Sequence, residues 1–308
     1  MAMTERLTVS LTAVRYRLKQ FRTKVLASFI AVLPFRPGVI ELLSRLFSIF
    51  LYVSKRSQRA AIVRGAGRMG LKPDARSLAR QYFLHTARAR VWAAMIFDVK
   101  RLQKHVSVFN VDQLKREVGA GRGAILVGAH IGPPIYSYAL WRQGVIVRPL
   151  TGGGNWRRFH RFFAGAPPFF MTGKVEFIRE TMRPFPSHRS ERALVRHVKS
   201  GGVALILIDR LRPAPAGSPA YFLGGDCRFS HFPFKLALRY RVPLFFCYFK
   251  PDKVGFQLDL TPIYDFKTPA EGVERYAAFF ERVIRERPFM WQRLPAFCQR
   301  RLRETAAG

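Results

Sequence analysis

From residue 120 onward, short apolar runs recur between glycines and prolines: Ala124–Ala129, Val145–Val147, Val175–Ile178, Val203–Ile208 and Leu244–Phe249. Between them lie segments with helical spacing, Pro133–Trp141, Glu191–Lys199 and Phe232–Tyr240. A last helix is predicted over Pro269–Pro288, with Tyr276, Phe280, Val283 and Ile284 on one face. Runs that are apolar at every position, rather than at every second one, suit strands covered on both sides. Strands of this kind alternating with helices predict an α/β fold, a mostly parallel central sheet flanked by helices. Functional side chains then belong at the carboxyl ends of the strands. Residues 56–118 are basic, amphipathic and poor in strong β runs, and are predicted helical.

The first 55 residues have a different texture. Val25–Phe35 (VLASFIAVLPF) is apolar but too short to cross a bilayer, which takes about 20 residues. Pro34 and Pro37 interrupt it, and Gly38–Val53 is apolar apart from Glu41 and Arg45 among its charges. Upstream, Arg15, Arg17, Lys19, Arg22 and Lys24 alternate with Leu, Val and Phe, and no small-residue cleavage site follows. The pattern predicts an N-terminal amphipathic, membrane-associated helical segment over 1–55, lying in the interface with its basic residues on phosphates. Helices packed on the domain and a single tilted span are the alternatives. The α/β domain takes 56–308.

Charge adds a partner. The chain of 308 residues carries 53 Lys+Arg against 19 Asp+Glu, a formal net charge of +34. An imbalance of that size is self-repelling in a compact state and is relieved by anionic partners. The basic residues are spread through a chain with 28 Phe and long aliphatic stretches, with no zinc spacing and no basic-region heptads. That distribution favours anionic membrane lipids over nucleic acid. Cys227, Cys247 and Cys298 are odd in number with no CxxC, so free core thiols are expected rather than a disulfide framework. His160, His188, His197 and His231 lack metal-ligand spacing, and no metal is expected.

Two strand ends carry reactive groups. GAILVGAH delivers His130, followed by Ile131-Gly132-Pro133-Pro134 and a helix start. GVALILID delivers Asp209, then Arg210. A histidine just beyond a buried strand is placed to take a proton from a bound hydroxyl or amine. Thr151–Asn155 (TGGGN) is glycine-rich with Arg157 and Arg158 after it, but lacks the Lys-Ser/Thr of a P-loop.

GAILVGAHIG, VIVRPL, ALILIDR, YFLGG and YAAFFERVIRERPFMWQ, in this order over roughly residues 25–300, resemble the lipid A late acyltransferases. These are the lauroyl/myristoyl acyltransferase-like branch of the lysophospholipid acyltransferase superfamily. The resemblance implies a membrane-associated enzyme that moves a fatty acyl group from an acidic acyl carrier protein or acyl-CoA to a hydroxyl or amine of a lipid acceptor. It needs no cofactor beyond the thioester co-substrate. It implies a place on the cytoplasmic face of a bacterial inner membrane, peripheral or held by a single anchor. His130 falls on the family's catalytic histidine, while Arg148 and Asp209 fall on an arginine and an aspartate of its later motifs. Arg148, Arg158, Arg210 and Gly224 are then candidate substrate contacts, although Gly224-Gly225-Asp226 also suits a plain turn.

The family pattern places Asp or Glu five positions after the histidine, and here that position is Ile135. No acidic residue occurs between Glu117 and Glu176. Three outcomes are open: Asp209 orients the imidazole, Tyr136 or Ser137 holds it without charge, or the chain is a catalytically degenerate homologue that binds lipid or docks on a membrane assembly.

Overall fold

The computed structural model describes residues 37–71, 74–95, 105–150, 190–211, 216–252 and 255–304. Val25–Phe35, Thr151–Asn155, Arg158 and the strand expected at Val175–Ile178 lie outside the described residues.

Three helices come first, α1 (Pro37–Ser54), α2 (Arg56–Gly65) and α3 (Ala75–Met95). α1 lies along α3, turning Ile40, Ser44 and Leu51 inward. Glu41 is bound there by Arg88 at 2.6 Å and by Arg45 one turn on at 2.9 Å. No helix among the described residues is long and apolar enough to cross a membrane.

The α/β part follows as β1 (Val106–Phe109), α4 (Val111–Gly119), β2 (Ala124–Gly128), α5 (Tyr136–Trp141) and β3 (Val147–Pro149). It continues with α6 (Ser190–Lys199), β4 (Val203–Leu207), β5 (Ser218–Tyr221), β6 (Asp226–Phe229) and α7 (Phe232–Tyr240). β7 (Leu244–Asp252), β8 (Gly255–Ile263), α8 (Pro269–Glu286), a 3-10 turn (Pro288–Met290) and α9 (Leu294–Glu304) complete it.

Six strands form one sheet in the order β1-β8-β7-β2-β4-β3. All neighbours are parallel except β7 and β8, which pair antiparallel. The sheet is therefore mixed, with parallel pairs dominant. β2 is buried at every position, as its unbroken apolar run requires. α8 is started by Thr268, whose hydroxyl accepts from the Glu271 N–H, while Glu271 reaches back to the N–H of Lys267. Its inner face, Tyr276 and Phe280, packs on Phe246 of β7.

Beside the β5–β6 hairpin, which is expected only as a turn, the pattern missed two strands of the six-stranded sheet for one reason. β1 is an edge strand inside the stretch expected to be helical, and β8, its neighbour, alternates polar Gln257 and Asp259 with buried Phe256, Leu258 and Leu260. Neither gives the continuous apolar run that marks β2 and β4.

Candidate functional site

β2 and β4 are adjacent and parallel, with Gly128 opposite Leu207. The Ile208 N–H donates to the Gly128 carbonyl at 3.1 Å and carries the pairing past the strand ends. Two residues beyond Gly128 and Leu207 stand His130 and Asp209, so strand register alone brings them side by side. Gly128 is required here, since a Cβ would sit 2.7 Å from the Cys247 carbonyl oxygen of β7.

His130 Nδ1 lies 2.6 Å from Asp209 Oδ1. The other carboxylate oxygen accepts from the His130 backbone N–H and from the Trp291 indole N–H, each at 2.9 Å. Burial pushes the Asp209 carboxyl up, but the hydrogen bonds and charge of His130 and the Trp291 indole outweigh it, leaving it below the ordinary carboxylate range. An ionised carboxylate has no proton to give, so Nδ1 carries the hydrogen of this contact, and Nε2 is the ring nitrogen that points away from the carboxylate. The side chain of Asp209 is 1% exposed and that of His130 31%. The carboxylate is sealed off and the imidazole is reachable.

The loop holding His130 is tied down from four directions. The Gln292 N–H donates to the His130 carbonyl at 2.8 Å, and the Gln292 side-chain amide donates to the Gly132 carbonyl at 2.7 Å. The Gly132 N–H donates to the Met290 carbonyl at 3.2 Å. From the other side, the Tyr136 hydroxyl lies 2.9 and 2.8 Å from the carbonyls of Ala129 and Ile131. Tyr82 of α3 donates to the Gln292 carbonyl, and Tyr276 of α8 to that of Gly128. Gly132 has φ +79°, and a Cβ there would lie 2.5 Å from that of Phe249, so the turn tolerates only glycine.

Ile135, at the position of the missing acid, is 1% exposed in the core and precedes α5. Tyr136 spends its hydroxyl on the backbone, and burial raises its pKa well above the ordinary value. The contact that the first of the three outcomes requires is present: Asp209 Oδ1 meets the ring.

The other candidates are dispersed. Arg210 follows Asp209 directly and is exposed. Arg148 lies opposite Ala204 on β4, five residues before Asp209, or about 16 Å along the strand; the structure does not bring it to His130. Gly224 and Leu223 form the tight turn of the β5–β6 hairpin with φ +83° and +48°, closed by the Phe222 N–H on the Gly225 carbonyl. A Cβ on Gly224 would meet the Arg68 carbonyl at 3.1 Å, so backbone geometry accounts for this glycine. Arg158 lies outside the described residues.

Cys227, Cys247 and Cys298 are buried free thiols. Burial pushes Cys227 up to about 11 and Cys298 to about 12, and Cys247 higher still, so none offers a thiolate nucleophile at neutral pH. Among the described residues no group of three His, Cys, Asp or Glu converges on a point that would hold a metal ion.

Trp291 and Gln292 complete the site and carry no signal in local spacing. The sequence cue for them is the last motif of the resemblance, YAAFFERVIRERPFMWQ, which ends on these two residues; a buried indole also needs an acceptor for its N–H.

No family model matches the chain, and no curated protein matches it.

Proposed function

We propose that the chain is a membrane-associated acyltransferase in which His130 is the general base. The observation that carries this is the 2.6 Å contact between His130 Nδ1 and a buried, ionised Asp209. Nε2 takes the proton of an acceptor hydroxyl or amine as its oxygen or nitrogen attacks a thioester carbonyl. The new C–O or C–N bond forms, the C–S bond breaks, and the imidazolium returns the proton to the departing thiolate. Asp209 fixes the tautomer and stabilises the imidazolium, a division of labour like that of a hydrolase triad. The donor is an acyl-CoA or acidic acyl carrier protein, whose phosphates Arg210 is placed to meet. The acceptor is a lipid.

The degenerate-homologue alternative rests on Ile135; the contact of His130 with Asp209, two residues beyond β4, supports the catalytic reading over it. The test is acceptor-dependent thiol release from acyl-CoA or acyl carrier protein in the presence of lipid, comparing wild type with His130→Ala. Turnover that depends on His130 is expected; equal turnover in the variant refutes the assignment.

A further inference from the structure

Two stretches of the sequence, YFLGG (221–225) and YAAFFERVIRERPFMWQ (276–292), meet at one point of the fold, the turn of the β5–β6 hairpin. The turn has positive φ at both central residues, Leu223 and Gly224. Turns of that shape take Asn-Gly or Gly-Gly, because a bulky apolar side chain is strained in the left-handed region. Leu223 adopts it all the same, fully buried, and three side chains hold it there. Glu281 of α8 accepts from the Leu223 N–H at 2.9 Å. Arg285, one turn on, grips Glu281 at 2.6 Å and reaches the Met69 and Gly70 carbonyls at 3.2 Å. Arg301 of α9 donates to the Phe222 carbonyl at 2.8 Å and to Glu304 at 2.9 Å. Gly225 leaves room for it, since a Cβ there would lie 2.3 Å from the guanidinium. A strained turn held this firmly points to a conformation with a use.

That use lies in Phe222. Its buried ring meets the Trp291 indole edge-on, with centroids 5.9 Å apart. Phe297 closes on the same indole at 5.2 Å and on Phe222 at 5.6 Å. Between these two rings the plane of Trp291 is fixed, and the plane decides where the indole N–H points. It points at Asp209 Oδ2, 2.9 Å away. A hydrogen bond weakens steeply as its donor swings out of line, so a shift of Phe222 is felt at the carboxylate that holds His130.

We propose that Glu281 and Arg301 are positioning residues for the His130–Asp209 pair: by seating Phe222 they keep the Trp291 N–H on Asp209. Arg285 serves by holding Glu281, while Gly224 and Gly225 serve the turn and the guanidinium rather than a substrate. The effect on rate rests on the acyl-transfer reading; the seating of the indole does not.

The full chain labelled with ¹⁵N-tryptophan gives four indole N–H signals in NMR, and the one lost in Trp291→Phe belongs to Trp291. In wild type it should lie downfield, drawn by a charged acceptor, and exchange slowly in D₂O. Arg301→Met and Glu281→Leu should each move it upfield and speed its exchange at least about tenfold. Each should also lower kcat for thiol release about three- to tenfold, with KM for the acceptor unchanged. Glu281→Gln keeps an acceptor for the Leu223 N–H and should restore both readings. In the Trp291→Phe background the two substitutions should lower kcat by less than about twofold, because the group they act through is gone. Leu114→Ala, a cavity in the core under α4, should lower Tm without moving the indole signal. Should Arg301→Met fail to fold, Glu281, with its side chain 19% exposed, carries the comparison alone. A wild-type indole signal in a folded Glu281→Leu chain overturns the proposal, as does a full further loss of rate on top of Trp291→Phe. If the signal moves as expected while wild type releases no thiol, the acyl-transfer reading falls and the seating of Trp291 stands.

Discussion

Replacing Asp209 by Asn separates shape from charge at the dyad. The carboxylate accepts three N–H groups, two on Oδ2 and one on Oδ1. An amide oxygen at the Oδ2 position keeps the Trp291 and His130 backbone donors. The amide nitrogen then faces Nδ1 and must donate to it, so the ring hydrogen moves to Nε2. The base is thereby capped at the atom that must accept the proton, and the developing imidazolium loses its counter-charge. The same substitution in a serine-protease triad costs about 10⁴ in rate, equivalent to about 5 kcal/mol of transition-state stabilisation. Folding should suffer far less, about 1–3 kcal/mol for the weakened charged hydrogen bonds. The assay is thiol release from acyl-CoA under saturating acceptor, with urea unfolding in parallel. An Asn variant with kcat within tenfold of wild type, and normal stability, would refute the role given to Asp209.

Three further outcomes follow from the same geometry. Trp291→Phe keeps the ring but deletes the indole donor, and should lower kcat by about tenfold while costing about 1–2 kcal/mol, read by kinetics and by urea unfolding. Gly132→Ala must place a methyl within 2.5 Å of the Phe249 Cβ at φ +79°, and should destabilise the fold by at least about 2 kcal/mol, seen as a lowered Tm. Burial, aided by Arg88, depresses His85 to about 4 from an ordinary 6.5. The unfolded chain therefore binds a proton that the folded chain refuses, and stability present above pH 6.5 is lost as pH falls from there towards 4. The loss totals about 3 kcal/mol, and denaturant titrations at pH 7 and 5 should show His85→Leu with a flatter acid limb than wild type.

What the chain pattern makes legible is the centre of the sheet. β2 and β4 announce themselves because strands buried on both faces admit only apolar residues, and α7 and α8 because each must bury one stripe. The edge is silent: β1 and β8 tolerate Ser107, Gln257 and Asp259 because water or an ion pair, such as Lys250 with Asp259 at 2.7 Å, satisfies one side. At the site, His130 and Asp209 are visible as the ends of two buried runs, but their contact depends on which strands are neighbours, which local pattern does not encode. Trp291 and Gln292 stand in a motif of the resemblance, but that they reach Asp209 and the His130 loop is not legible, since they act from a segment that belongs to neither strand. Ile135 stands where the family spacing expects an acid, and the structure buries it in the core; the carboxylate that contacts His130 is Asp209, two residues beyond β4.

The clamp on the His130 loop has a consequence in time. The hydrogen bond from the Gln292 side chain to the Gly132 carbonyl spans 160 residues of chain. At ordinary translation speeds of about 5–20 residues per second, that is roughly 10–30 s between the emergence of His130 and of the groups that hold it. Throughout that interval a nascent chain carries the histidine with its loop unpinned and Asp209 still without the Trp291 donor. The clamped arrangement of His130 and Asp209 is complete only once the Met290–Gln292 segment has been made, so a half-synthesised chain lacks the geometry on which the proposed acyl transfer rests.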